Sequence, residues 1–322
     1  MNKAKVIIGY PVADEIVEYV KDHFQLIDFD LTNPNRYREL KNNIKDAHGI
    51  IVLATPIDKE LLKHAPNLKV VSNITVGYNN CEIDELKEKN VIVTHSPGIL
   101  DNAVADHIFA LILSAGRRIP ELNDFVKSGK WNTMENSNLF SKDISGSKLG
   151  IIGMGRIGIQ VAKRAKAFSM DVKYYNRNRK KDIEESMNIG YLEIDDLLKT
   201  CDFIVVSTPL TDETYHLMGE REFKLMKKDA IFINTSRGPV VDEKALIKAL
   251  ENKEIGGAGL DVFEKEPLEK DNPLLTMNNV VLTPHLAGGT KKTMDALAWN
   301  AARSMVETLE GKRVDSIIPE MK

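Results

Sequence analysis

Only two cysteines, Cys81 and Cys201, occur in 322 residues, far apart and in no paired spacing. Their scarcity excludes a disulfide scaffold and a cysteine-built metal site, and it fits a reduced, cytoplasmic chain. A surplus of one charge is missing too: 44 Lys and Arg oppose 47 Asp and Glu, for a net −3. With a pI near 6.2 there is no basic footprint for nucleic acid or an anionic membrane. No apolar run approaches the roughly 18 residues of a membrane helix. The opening MNKAKVIIGYPVADE holds too short an apolar stretch for a signal core and is expected to form a first strand. Internal repeats and low-complexity tracts are absent as well. What remains is ordinary globular composition, 43% hydrophobic and 28% charged, which rules out disorder, collagen and coiled coil. At roughly 100–200 residues per domain, two domains fit the length best.

Short apolar runs alternate with amphipathic stretches along the first hundred residues. The runs are Val6–Gly9, Leu26–Phe29, Gly49–Ala54, Leu68–Val71 and Val91–Val93. Helical patterns lie between them, which predicts parallel βαβ units. A long helix then starts at Asp101, with Val104, Ile108, Leu111 and Ile112 on one face. After a polar stretch the alternation restarts with six runs: Leu149–Ile152, Val172–Tyr175, Phe203–Ser207, Ala230–Asn234, Gly259–Val262 and Val280–Thr283. Six such runs match a doubly wound dinucleotide-binding sheet. A last helix, Thr290–Leu309, is left over. It is expected to return to the first domain, making the second an insert.

The expected fold is therefore α/β, two doubly wound parallel-sheet domains. Residues 1–101 and 289–322 form one domain, split around a Rossmann domain of residues 102–288.

Lys148-Leu-Gly-Ile-Ile-Gly153-Met-Gly155-Arg-Ile-Gly158 runs a strand into G-x-G-x-x-G and then a helix. Gly153 would permit the tight turn, Gly155 the approach of a pyrophosphate, and Gly158 close helix packing. Amides at the helix start would face the phosphates. The next strand ends in Asn176-Arg177-Asn178-Arg179, where an acidic residue would repel a 2′-phosphate. Asn176 is neutral, and Arg177 with Arg179 could clamp that phosphate. NADP(H) is favoured and NAD(H) stays open.

Three more stretches follow strand runs: Asn234-Thr235-Ser236-Arg237-Gly238, Gly259-Leu-Asp261-Val-Phe-Glu-Lys-Glu266-Pro267 and Thr283-Pro-His285. Carboxyl ends of parallel strands gather at one edge, so Arg237, Glu266 and His285 should converge. His285 suits proton transfer because imidazole titrates near neutrality. A carboxylate on its other ring nitrogen would favour the imidazolium. Arg237 suits a substrate carboxylate and carbonyl. The remaining histidines, His23, His48, His64, His95, His107 and His216, show no metal spacing and read as packing or surface groups. No metal is expected. Trp131 is expected to be buried.

The ordered motifs GMGRIG, NTSRGP, GLDVFEKEP and TPH, with TVGYNN near residue 77, resemble the D-isomer-specific 2-hydroxyacid dehydrogenases. Within that family the chain looks closest to glyoxylate, hydroxypyruvate and 2-ketogluconate reductases. The resemblance implies a flavodoxin-like substrate domain and a homodimer. It implies Arg237 as substrate-binding arginine, Glu266 as histidine partner and His285 as acid/base. It also implies cofactor contacts at Val76, Gly153, Gly155, Arg156, Ile157, Gly158, Asn176, Arg177, Thr208, Thr235, Asp261 and His285. The backbone of Val76 and Gly77 resembles the loop that binds the substrate carboxylate. Met134 stands where some hydroxypyruvate-reducing relatives carry a tryptophan, so their substrate preference does not transfer. Two alternatives remain: a 3-phosphoglycerate dehydrogenase, and a non-catalytic dinucleotide-sensing binding protein.

Overall fold

The computed structural model describes residues 3–33, 35–132 and 139–322; Met134 lies outside them. Two compact units emerge from the fold: Met1–Leu100 with Gly289–Lys322, and Asp101–Gly288.

In the first unit, β1 (Lys5–Ile8), β2 (Gln25–Leu26), β3 (Gly49–Val52), β4 (Val70–Asn73) and β5 (Ile92–Thr94) form a parallel sheet. Their order is β2-β1-β3-β4-β5, the flavodoxin-like order. β3 and β4 are buried throughout: β3 is wholly apolar, as a strand covered on both faces tends to be, and β4 ends in the buried polar pair Ser72 and Asn73. The C-terminal helix Lys291–Leu309 shares this unit's core. Its Leu297, Ala298, Ala301, Ala302, Met305 and Val306 cluster with Val6, Ile8, Ile16, Val20 and Val70. Two polar ties pin it: Ser72 Oγ donates to Ala301 O at 2.7 Å, and Asn300 Nδ2 to Ser96 Oγ at 3.0 Å. Thr290 caps the helix by accepting from Thr293 N.

In the second unit, seven parallel strands run in the order β12-β11-β10-β9-β6-β7-β8. They are β6 (Lys148–Ile152), β7 (Asp171–Tyr175), β8 (Gly190–Tyr191), β9 (Phe203–Val206), β10 (Ile231–Asn234), β11 (Gly257–Leu260) and β12 (Val280–Leu282). Six match the expected runs. The seventh, β8, is a two-residue edge strand too short to register as an apolar run. The order reverses between β6 and β9, and that switch point is where a doubly wound sheet opens its ligand crevice. The helix Arg156–Ala167 follows β6 and buries Gly158, Val161, Ala162 and Ala165, a spacing of three and four that makes one face.

The helix from Asp101 ends sooner than its apolar pattern suggests. It stops at Gly116, and Arg118 with φ 54° starts a separate helix, Ile119–Lys127. None of that second helix's residues is buried, which corrects the expectation for Trp131 just beyond it. Trp131 is 56% exposed, and Ile119, Val126 and Phe140 are exposed too.

Candidate active site

The glycine loop divides its labour among three positions. Gly153 has φ 102°, and a Cβ there would meet Ser207 O at 2.5 Å. Gly158 sits so close to the loop that a Cβ would lie 2.4 Å from Gly153 O. At Gly155 an added Cβ meets nothing within 4 Å. The loop is therefore tight on its protein side and open at its middle residue. No side chain caps the helix that begins at Arg156, so its first amides keep their donors for a ligand. Across the switch point Thr208 follows β9, and its hydroxyl is buried without a partner among the described residues. A buried orphan hydroxyl is costly and marks a place for a polar ligand. Open loop, uncapped helix and orphan hydroxyl together fit a dinucleotide.

Past β7, Asn176 belongs to the same loop. Its Oδ1 accepts from Met154 N at 3.1 Å, and its Nδ2 donates to Asn178 O at 2.9 Å. The two arginines expected to act together do not. Arg179 makes paired bonds to Glu184, at 2.8 and 2.7 Å, and lies over the Tyr191 ring. Glu184 sits one turn into the following helix, Lys181–Met187, and captures Arg179. Arg177 is the more exposed of the two and is ion-paired to exposed Glu213. Arg156 leans the other way, its Nε on Asp101 at 3.0 Å. Ile157 stands in the first turn of the same helix, and Thr235 follows β10.

Arg237, Glu266 and His285 follow β10, β11 and β12. Asn234 shapes the first loop: its Oδ1 accepts from Ser236 N and Ser236 Oγ, and its Nδ2 donates to Arg237 O. Gly238 then lies flush against the next loop, where a Cβ would fall 1.7 Å from Phe263 O. Burial draws the Arg237 guanidinium below its ordinary value, while the charge of Glu266 works against that shift.

Glu266 reaches in both directions. Its Oε1 accepts from Phe263 N at 3.0 Å and its Oε2 meets His285 Nδ1 at 2.7 Å. Burial opposes ionisation of this carboxyl. The bonds from His285 and Phe263 and the charges of His285 and Arg237 outweigh it, holding the group below the usual glutamate range. A carboxylate only accepts, so Nδ1 carries a proton and Nε2 is the nitrogen left for chemistry. Among the described residues nothing hydrogen-bonds Nε2.

The loop bearing His285 is wrapped around Asp261. His285 has φ 54°, the left-handed region, and its N donates to Asp261 O at 2.8 Å. Leu286 N and Ala287 N then donate to the Asp261 carboxylate, at 3.0 and 2.8 Å. Successive amides around a left-handed residue form an anion nest, here filled by a side chain of the protein itself. Asp261 has no exposed surface, so the carboxylate of this expected cofactor position is engaged by the loop that follows β12.

Val76 and Gly77 belong to the first unit, in the loop after β4. His95 Nδ1 donates to Val76 O at 2.9 Å, and Thr75 Oγ1 to Gly77 O at 2.6 Å. Both carbonyls are thereby engaged, whereas neither amide finds an acceptor among the described residues. Burial pushes the His95 imidazole down, against the pull of that carbonyl. His95 and His107, read as packing groups from sequence, both touch site loops; their partners lie too far along the chain to leave a local signal. Among the described residues, no group of three or more His, Cys, Asp or Glu is arranged to hold a metal.

A cavity of about 870 Å³ opens at the opposite, amino ends of β10–β12, lined by Gly116, Phe140, Lys142, Ile231 and Val281 among others. Arg237, Glu266 and His285, which follow the carboxyl ends of these strands, do not line it.

Residues 109–287 match the family model for the D-isomer specific 2-hydroxyacid dehydrogenase, NAD binding domain. The chain is 41% identical over 310 residues to glyoxylate/hydroxypyruvate reductase B of Enterobacter sp. (strain 638), covering 96% of each chain. It is 39% identical over 312 residues to the glyoxylate reductase of Korarchaeum cryptofilum (strain OPF8), covering 96% and 94%. Among solved structures it resembles the NADPH-dependent glyoxylate/hydroxypyruvate reductase of Sinorhizobium meliloti, determined with NADP and malonate. That likeness has a TM-score of 0.85 at 26% identity, over 99% and 98% of the two chains.

Proposed function

The chain belongs to the D-isomer specific 2-hydroxyacid dehydrogenase family, and from that premise we propose how it reduces a small 2-oxo acid of the glyoxylate or hydroxypyruvate type to the D-2-hydroxy acid. The observation that carries the reading is the 2.7 Å bond between His285 Nδ1 and Glu266, at strand ends adjoining that of Arg237. When bound, the reduced dinucleotide supplies the hydride. The amides at Arg156 and Ile157, the open face of Gly155 and the Thr208 hydroxyl are the groups that would hold it. Asn176 and Arg177 favour NADP(H) over NAD(H) because neither repels a 2′-phosphate.

The chain's own residues manage charge and protons. Arg237 binds the substrate carboxylate and polarises the 2-oxo group, fixing the carbon to be reduced. His285 gives a proton from Nε2 to the carbonyl oxygen as the alkoxide develops. Glu266 holds the ring by Nδ1, which fixes its orientation and leaves Nε2 facing the substrate. In the first unit we assign the amides of Val76 and Gly77 to a substrate carboxylate, and the discontinuous unit as a whole to substrate. Residues 102–288 we assign to the dinucleotide.

The exposed apolar residues Ile119, Val126, Trp131 and Phe140 support a homodimer, and sedimentation of the purified protein tests that. Two buried free cysteines suit a reducing cytoplasm. The functional test is a panel of glyoxylate, hydroxypyruvate, 2-ketogluconate, pyruvate and 3-phosphohydroxypyruvate with NADPH and NADH. Turnover of the small acids that collapses in His285→Ala is the expected result. No oxidation with any of them would return the chain to a sensing role.

A further inference from the structure

Below the His285 loop, a hydrogen-bonded chain leads away from the site to the long helix Asp101–Gly116. Thr283 Oγ1 lies 2.5 Å from Asp261 Oδ1, an oxygen that already accepts from Leu286 N. Thr283 therefore donates its single hydroxyl proton to Asp261. His107 Nε2 lies 2.9 Å from the same hydroxyl, which has only lone pairs left to offer. His107 must then be the donor, with its proton on Nε2, and that nitrogen also lies 3.5 Å from Asp261 Oδ1. The direction of every bond follows from these contacts: His107 to Thr283, Thr283 to Asp261, and the Leu286 and Ala287 amides to Asp261.

We propose that His107 is a positioning residue for the reduction, acting through Thr283 and Asp261 to keep the His285 backbone in its left-handed turn and so to aim Nε2. A non-glycine residue persists at φ 54° only where its surroundings over-determine it. Here the determinant is the carboxylate inside the nest, and the carboxylate is oriented by the hydroxyl that His107 fixes. His107 touches neither of the groups assigned to proton transfer, so its effect is on geometry. This inference rests on His285 being the acid/base.

The test uses His107→Leu and Thr283→Val, which delete the donor and the relay, and His107→Gln and Thr283→Ser, which restore a donor or hydroxyl. His285→Ala runs beside them. The expected result is a fall in kcat of about ten- to hundredfold in the deletions, since small misplacements of a reacting group cost that much. KM for NADPH should hold, and the primary isotope effect from 4-deuterated NADPH should rise as the chemical step becomes limiting. Without cofactor, the peptide covering residues 283–288 should exchange its amide hydrogens faster than in the unmodified protein, while the rest of the second unit is unchanged. His107→Gln and Thr283→Ser should recover most of both. Unchanged kcat and exchange in the deletions, or glutamine and serine variants no better than leucine and valine, would overturn the inference. Full activity in His285→Ala would instead remove the assignment on which it stands.

Discussion

Cofactor choice turns on two neighbouring side chains, and the double change Asn176→Asp with Arg177→Ala should reverse it. A charge-assisted bond to a 2′-phosphate is worth roughly 1.5–3 kcal/mol when sheltered. The Arg177 side chain is 75% exposed and shared with Glu213, so its contribution falls to about 1 kcal/mol. Arg179 adds nothing, being held by Glu184 and Tyr191. A new carboxylate at 176 would repel a phosphate at contact by about 1 kcal/mol in a water-like dielectric. The sum, about 2 kcal/mol, is roughly a thirtyfold swing in the ratio of kcat/KM for NADPH to that for NADH. Asp at 176 can still accept from Met154 N but loses the donation to Asn178 O, costing stability about 1 kcal/mol equally for both cofactors. Initial rates with glyoxylate at one ionic strength give the ratio directly. An unmodified enzyme that prefers NADH by more than a few-fold, or a double variant whose ratio does not move, would refute the reasoning.

The second and third glycines of the loop should part company under the same substitution. Gly158→Ala drives a Cβ against Gly153 O at 2.4 Å, so it should lower the apo Tm by several degrees as an overpacked contact of about 1–3 kcal/mol. Gly155→Ala meets no protein atom within 4 Å, and should leave the apo Tm in place while weakening NADP binding measured by calorimetry. For Glu266 the sign is set by its lowered pKa. The carboxylate is kept above its ordinary value of 4.5 and is lost only as pH falls below it. The reduction rate should accordingly show no loss traceable to Glu266 between neutrality and that value. In Glu266→Gln kcat should fall while KM for NADPH holds, because the His285 ring loses the carboxylate that orients it at Nδ1; an unchanged kcat would take Glu266 out of this role.

Much of this architecture is readable in the sequence because parallel strands buried on both faces must be continuous apolar runs. Phe203–Val206 and Ile231–Asn234 announce themselves that way. β8 does not, since two residues at a sheet edge need no such run. The helix starting at Asp101 ends at Gly116, and Arg118, a residue type that seldom does so, takes the left-handed turn that follows. At the candidate site, polar and charged residues stand out after apolar strand runs, so the sequence singles out Arg237, Glu266 and His285, which follow β10, β11 and β12. The capture of Arg179 by Glu184 is not legible there, because a basic turn looks the same whether its charges are free or spent. His107 was hidden by distance, its partner Thr283 lying 176 residues further on.

The helix Lys291–Leu309 has a consequence for the order in which the protein is made. A ribosome finishes the first hundred residues long before it reaches the helix that closes their core. At about 5–20 residues per second, the intervening segment of nearly two hundred residues takes roughly 10–40 s to emerge. During that interval Val6, Ile8, Ile16, Val20 and Val70 wait without Leu297, Ala301, Met305 and their neighbours. Domains commonly mature from the amino end as they emerge; here the middle of the chain can finish first, and the beginning must wait for the end.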